Sequence, residues 1–229
     1  MDTTKYQAFA GDHLGGFADL NLLVTAFTHR SYLNEHKKTA AEHNERLEFL
    51  GDAVLELIVT EYLYTNYKEP EGILTNWRSA LVRTESISAA AAREGLESLL
   101  RLSRGEKRGS ERARQQILAN CYEALIGAIY LEKGYEGAKE FITRTLLPTF
   151  DDILKSGTWM DPKSRLQEAV QSQGGSTPIY KVILEEGPDH DKKFVVGVFV
   201  DDQLKGEGTG PSKQAAQVAA AQAAMKDYR

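Results

Sequence analysis

Apolar residues recur three and four apart over most of residues 44–150, and that spacing gives way after Pro162 to short runs of Val, Ile and aromatics separated by turn-forming residues. The switch of period constrains the fold more than any other feature, because a 3.6-residue stripe and a two-residue alternation cannot share one regular architecture. It predicts an all-α domain at 1–154, a linker at 155–160 where Ser156-Gly157-Thr158 breaks the pattern, and a small α+β domain at 161–229. Helices are expected over 44–67, 77–94, 112–132 and 135–150. In the second part Asp161 is placed to cap a helix over 162–173, with Pro162 at its first position, where the missing N–H costs nothing. Strands at 180–184, 194–200 and 203–207 follow, divided by Gly187-Pro188-Asp189 and Asp201-Asp202, and an Ala-rich helix over 212–228 closes the chain. The order α-β-β-β-α is therefore expected for this part.

Composition removes other classes. The 229 residues are 41% hydrophobic and 27% charged, which describes a globular chain. Its longest apolar stretches are interrupted by Glu56, Glu61 and Glu123, so no membrane span is expected. The first residues show no basic-then-apolar leader and Cys121 stands alone, which fits a reducing cytoplasm and rules out a disulfide framework. The net charge of −5 gives no global attraction for a polyanion, so any nucleic-acid contact has to be local. One candidate is the strip of Arg101, Arg104, Lys107, Arg108, Arg112 and Arg114, opposed only by Glu106 and Glu111. It reads equally as a phosphate-contacting strip or as a solvated loop and helix start.

The most informative stretch is Asn44-Glu45-Arg46-Leu47-Glu48-Phe49-Leu50-Gly51-Asp52. At about 100° per residue Glu45, Glu48 and Asp52 share a narrow arc, while Leu47, Leu50 and Val54 gather opposite. Like charges at these spacings cost a helix a few tenths of a kcal/mol per pair, and either surrounding bases or a bound cation would compensate. A second helix carries Asn120 and Glu123 on one face with Gly127 beneath them. If the two faces pack together, Glu48, Asp52, Asn120 and Glu123 make an all-oxygen set suited to Mg²⁺ or Mn²⁺; no Cys/His set is spaced for zinc.

The string from Asn44 to Asp52 resembles the signature of the ribonuclease III family. Thr28-His29-Arg30-Ser31-Tyr32, Leu81-Val82-Arg83 and Glu123-Ala124-Leu125-Ile126-Gly127-Ala128 support the likeness, which extends over nearly the whole chain. It implies a helical endonuclease domain that forms a homodimer and hydrolyses double-stranded RNA with Mg²⁺, Mn²⁺ substituting, leaving 5′-phosphate and 3′-hydroxyl ends in RNA processing and maturation. Carried over by position, Glu48, Asp52, Asn120 and Glu123 are the metal ligands and Asp52, Glu123 and Glu45 the catalytic acids, with Glu71 a further acid of the cleft. One position departs from the pattern. The family usually has Asp where this chain has Asn120, which motivates an alternative: a double-stranded RNA-binding protein impaired in cleavage.

Three histidines, His29, His36 and His43, invite a general acid–base reading, but the first sits in a family-like segment and the others flank a polar loop. Cys121 has no adjacent base to activate it and reads as a small buried residue. The second part resembles the double-stranded RNA-binding domain, which recognises A-form duplexes by shape through 2′-hydroxyls and phosphates. The resemblance places Gln167 and Glu168 at one minor groove, His190 at the next, and Ser212 and Lys213 at phosphate beside a helix N-terminus. Gln214 and Gln217 stand where relatives commonly carry lysines, so this module alone is expected to bind weakly.

Overall fold

The computed structural model describes residues 3–37, 42–157, 159–188 and 192–228. It falls into two compact units, one ending at Trp159 and one beginning at Met160. The first is all helical: α1 (Thr4–Leu14), α2 (Leu20–Ala26), α3 (Arg30–Glu35), α4 (Glu45–Asn66), α5 (Glu71–Val82), α6 (Thr84–Arg93), α7 (Glu111–Thr145) and α8 (Phe150–Ser156). Its core gathers Leu55, Ile58 and Leu63 of α4 with Tyr122, Leu125 and Ile126 of α7, closed by Tyr6, Phe27 and Phe150. Of the residues that the helical spacing set opposite the acid stripe, Leu47, Val54 and Ile58 are buried, whereas Leu57 is exposed.

The structure departs from the predicted boundaries in physically readable ways. The helix expected over 77–94 is two. Arg83 is extended at φ −69°, ψ 153°, and the Ser86 hydroxyl donates to the Ala80 carbonyl at 2.7 Å, satisfying an acceptor the broken helix leaves open. The helices expected over 112–132 and 135–150 are joined through a break at Gly134 (φ 70°), and the first begins at the Ser110 cap, whose hydroxyl accepts from the Ala113 N–H. The stretch expected as linker starts inside a helix, since Lys155 and Ser156 complete α8.

The second unit runs α9 (Pro162–Ser172), β1 (Ile179–Glu186), β2 (Lys193–Val200), β3 (Gln203–Gly210) and α10 (Lys213–Ala224). The strands form one antiparallel sheet in the order β1-β2-β3. Asp161 caps α9 as expected, accepting from the N–H groups of Lys163 and Ser164. Asp201 and Asp202 take φ 50° and 60°, the left-handed pair that a two-residue hairpin turn needs. Leu166 and Val170 of α9, the inward Val196, Val198 and Val200 of β2, and Ala216, Ala220 and Ala224 of α10 make the core. The close approach of α10 to β3 requires glycine on the strand: a Cβ on Gly208 would lie 2.1 Å from the Ala220 nitrogen. The fold class is thus the one the period switch predicts.

Candidate active site and nucleic-acid interface

The acid face depends on how closely α4 and α7 cross. A Cβ on Gly51 would stand 1.8 Å from the Glu123 carbonyl oxygen, and one on Gly127 2.3 Å from that of Leu47. Only glycine permits such contact between backbones. The crossing sets Glu48 and Asp52 of α4 against Asn120 and Glu123 of α7. Glu48 and Glu123 both feel the charge of Asp52, and Glu123 feels that of Glu48 as well.

Burial, then Asp52 and Glu48, push the Glu123 carboxyl up to about 8, so in the absence of a counter-charge it holds a proton well into the neutral range. Glu48 is raised as well, first by burial and then by Glu45 and Asp52, with the polar amide of Asn120 acting in the opposite sense. Asp52 is exposed at the mouth of the cluster. The donors suit a hard cation, being carboxylates and one amide. Among the described residues, no group of three or more His, Cys, Asp or Glu side chains is drawn together tightly enough to hold a metal ion as placed, so the set fits in chemistry without forming a closed cage.

Other expected residues are placed differently. Glu45 is paired at the rim, 3.1 Å from Arg30 and 3.8 Å from His43. Glu71 lines a separate 480 Å³ surface cavity with Thr60, Tyr64 and Arg78. Thr60 is eight residues beyond Asp52 on α4, roughly 12 Å along its axis. The basic strip is not one surface. Arg101 is buried, its guanidinium donating to the Thr28 hydroxyl at 3.0 Å beneath the Tyr32 ring, and Arg114 pairs with Glu97. The Thr28–Tyr32 motif is thereby explained as a brace: Arg101 bridges backbone to Phe27 and His29, and Asn44 donates to the Ala26 carbonyl. His29 caps α3 through Nδ1, and burial lowers its pKa, so it is a neutral structural residue. Cys121 is fully buried, which pushes its thiol far up and leaves it inert.

In the second unit Gln167 and Glu168 are exposed on α9. Ser212 caps α10 by accepting from the Ala215 N–H, and Lys213 at its first turn lies 3.8 Å from Glu185 and over the Phe194 ring. His190 lies outside the described residues. The sequence reading missed three residues: Arg30, which neutralises Glu45; Gln116, whose Nε2 donates to the Asn120 Oδ1 at 2.7 Å; and Lys163, whose ammonium donates to the Gln217 Oε1 at 2.9 Å. Lys163 thus brings a cation from α9 to the face of α10 where Gln217 itself supplies none. Only Gln116, four residues before Asn120, carried a local signal.

A helical unit with an acid-lined crossing, followed by an α-β-β-β-α unit, is the layout of a two-domain, double-strand-specific endoribonuclease. The comparisons agree. The Ribonuclease-III-like family model matches residues 19–150 and the double-stranded RNA binding motif residues 162–228. Ribonuclease 3 of Streptococcus gordonii is 44% identical over 214 residues, covering 92% of this chain and 90% of that protein. Ribonuclease 3 of Enterococcus faecalis is 44% identical over 211 residues, covering 92% and 91%. The nuclease domain of ribonuclease III from Campylobacter jejuni superposes with a TM-score of 0.54 at 40% identity, covering 60% of this chain and 92% of that one. The chain belongs to the ribonuclease III family.

Proposed function

We propose that the α4–α7 crossing is a divalent-cation centre, Mg²⁺ by preference with Mn²⁺ able to replace it, at which phosphodiester bonds of double-stranded RNA are hydrolysed to 5′-phosphate and 3′-hydroxyl ends. The observation that carries this reading is Glu123: a partly buried carboxyl whose acting neighbours, Asp52 and Glu48, are themselves acids, so that a cation is the missing partner. Glu48, Asp52 and Glu123 would hold it, and Asn120 closes the fourth side through its amide. When bound, such an ion lowers the pKa of a water and stabilises charge on the leaving oxygen.

The chain's own residues do the rest. Asp52, exposed at the mouth, is the acid nearest to solvent from which a water is drawn, and Glu123 is the deep carboxylate that fixes the inner side of the cluster. Glu45, tied to Arg30, holds the rim. In the second unit Gln167, Glu168, Ser212 and Lys213 contact the duplex, with His190, which follows β1 in the sequence, as a further contact and Lys163 beside Gln217 adding a charge. Binding by shape and phosphate positions the duplex without reading sequence. We further propose a homodimer, for which Phe49, 82% exposed on α4, and the exposed Leu57 and Tyr64 further along the same helix supply apolar surface. Among the described residues no helix is long and apolar enough to cross a membrane, and we place the protein in the cytoplasm, acting in RNA processing.

Asn120 favours a second reading, a duplex binder impaired in cleavage, because its oxygen already accepts from Gln116. An end-labelled RNA duplex incubated with the chain in Mg²⁺, in Mn²⁺ and in EDTA decides between them. Cleavage to 5′-phosphate ends in either metal, abolished by EDTA, is expected; intact RNA with both metals would favour the binder.

A further inference from the structure

The chain passes from the first unit to the second with almost no slack, and one side chain accounts for this. Helix α8 ends at Gly157, whose φ of 64° turns the chain while its N–H donates to the Leu154 carbonyl. Two residues on, the indole of Trp159 meets that of Trp77 on α5 edge to face, with ring centroids 5.8 Å apart at 86°. Trp77 is itself buried among rings, 5.2 Å from Tyr67 and 5.3 Å from Phe150, so Trp159 packs, partly buried, against the core of the first unit. The second unit begins at once. The Asp161 carboxylate accepts from the N–H groups of Lys163 and Ser164, its carbonyl accepts from the Arg165 N–H at 2.9 Å, and Pro162 holds Asp161 away from the helical region at ψ 131°. Between the last residue packed on the first unit and the first residue tied into α9 stands Met160 alone.

We infer that Trp159 is a positioning residue: docked on Trp77, it takes up the linker and holds the second unit on a tether about one residue long. The sequence between α8 and Met160 is otherwise small and polar, so a tryptophan there leaves a large apolar ring in water unless it docks. An edge-to-face pair, with the area it buries, favours docking by roughly tenfold or more. From Trp159 to Asp161 the chain reaches at most about 7 Å, and freed back to Ser156 it reaches about 17 Å. Once the second unit grips a duplex, the effective concentration of that duplex at the acid face falls as about the −3/2 power of tether length. Release of Trp159 therefore costs about fourfold. The ring acts through the tether and touches no RNA. Only this effect on the duplex rests on reading the acid face as the cleavage centre; the docking itself does not.

Two measurements on the full chain test this. In ¹⁵N relaxation of the RNA-free protein, the Gly157 and Trp159 amides are expected to be as rigid as those of α8, with fast motion first appearing at Met160. In Trp159→Ala that motion is expected to reach back to Gly157, and Trp159→Phe, which keeps a ring, is expected to restore the parent pattern. A Trp159 amide already mobile in the parent, or a Gly157 amide unmoved by Trp159→Ala, would overturn the inference whatever the chain binds. In steady-state cleavage of a long RNA duplex in Mg²⁺, Trp159→Ala is expected to raise KM about fourfold with kcat changed under about twofold, the mark of lost binding and not lost chemistry. Trp159→Phe is expected to stay within about twofold of the parent. Inserting three glycines after Met160 leaves Trp159 docked and gives the tether the length that its release would give, so the insertion is expected to reproduce the rise in KM. An unchanged KM in Trp159→Ala, or a rise that the insertion does not reproduce, would overturn the role in positioning. Should the parent not cleave, the cleavage reading fails, and the relaxation result still decides whether Trp159 takes up the linker.

Discussion

Glu123→Gln is expected to stabilise the metal-free protein, by an amount that grows with pH. Glu123 has a folded-state pKa of about 8 against an ordinary 4.5. The sign follows from linkage: a carboxyl raised by folding leaves stability intact below its unfolded value, and stability is lost as pH rises from there toward 8, because the folded state resists giving up the proton. Each tenfold in that equilibrium is about 1.4 kcal/mol, so the loss has a ceiling of about 4 to 5 kcal/mol above pH 8. Solvent screening at a partly open site reduces it to roughly 1 to 3 kcal/mol. Glutamine keeps the shape and cannot ionise, so it removes the loss. For a unit of this size about 2 to 4 °C accompanies each kcal/mol. Melting curves by circular dichroism in EDTA at pH 5.5 and pH 8 read the effect directly: a small gap at the lower pH, and Glu123→Gln melting several degrees above the parent at the higher. With Mg²⁺ in excess the gap is expected to close or reverse, since the ion stabilises only the chain that binds it. A gap of equal size at both pH values, or a destabilised Glu123→Gln at pH 8, would refute the account of what raises the carboxyl.

Other outcomes follow from the same contacts. Gly51→Ala places a Cβ 1.8 Å from a backbone carbonyl that cannot yield without parting α4 from α7, so a loss of about 3 kcal/mol or more in denaturant melts is expected, with cleavage lost alongside. Arg101→Ala removes a buried cation, its bond to Thr28 and its stacking on Tyr32; urea titration is expected to show a loss of about 2 to 4 kcal/mol, whereas Arg108→Ala, at an exposed position, changes stability by under about 0.5 kcal/mol. Lys213→Ala should weaken duplex binding at every sequence tested and lower the slope of log affinity against log salt by about one, checked by filter binding over a salt series.

Much of the site was legible because it is written locally. A helix of known pitch puts Glu45, Glu48 and Asp52 on one face from their spacing alone, and Asn120 with Glu123 likewise, while Gly127 beneath the second pair leaves room for a partner helix; the matching role of Gly51 was not legible. The joins between distant segments were not legible. Nothing near Arg30 announces that it neutralises Glu45, and Lys163 reaches Gln217 across 54 residues. Arg101 read as one of a basic strip, yet its partners lie 73 residues earlier and draw it into the core. The break at Arg83 was hidden for a different reason: apolar spacing and Ala-rich composition continue through it, and only the Ser86 cap on Ala80 shows where one helix ends. Local pattern fixes faces; long-range packing decides which charges are spent before a ligand arrives.

The most direct test of the central claim compares the parent chain with Glu123→Ala and Asp52→Ala on one long, fully paired RNA. Cleavage in Mg²⁺ is followed on denaturing gels and retention in EDTA on native gels. The account predicts short products from the parent only, with all three proteins retarding the duplex equally. Cleavage that survives either substitution, or duplex binding lost together with it, would contradict the assignment of the acid face as the catalytic centre and of the second unit as the binder.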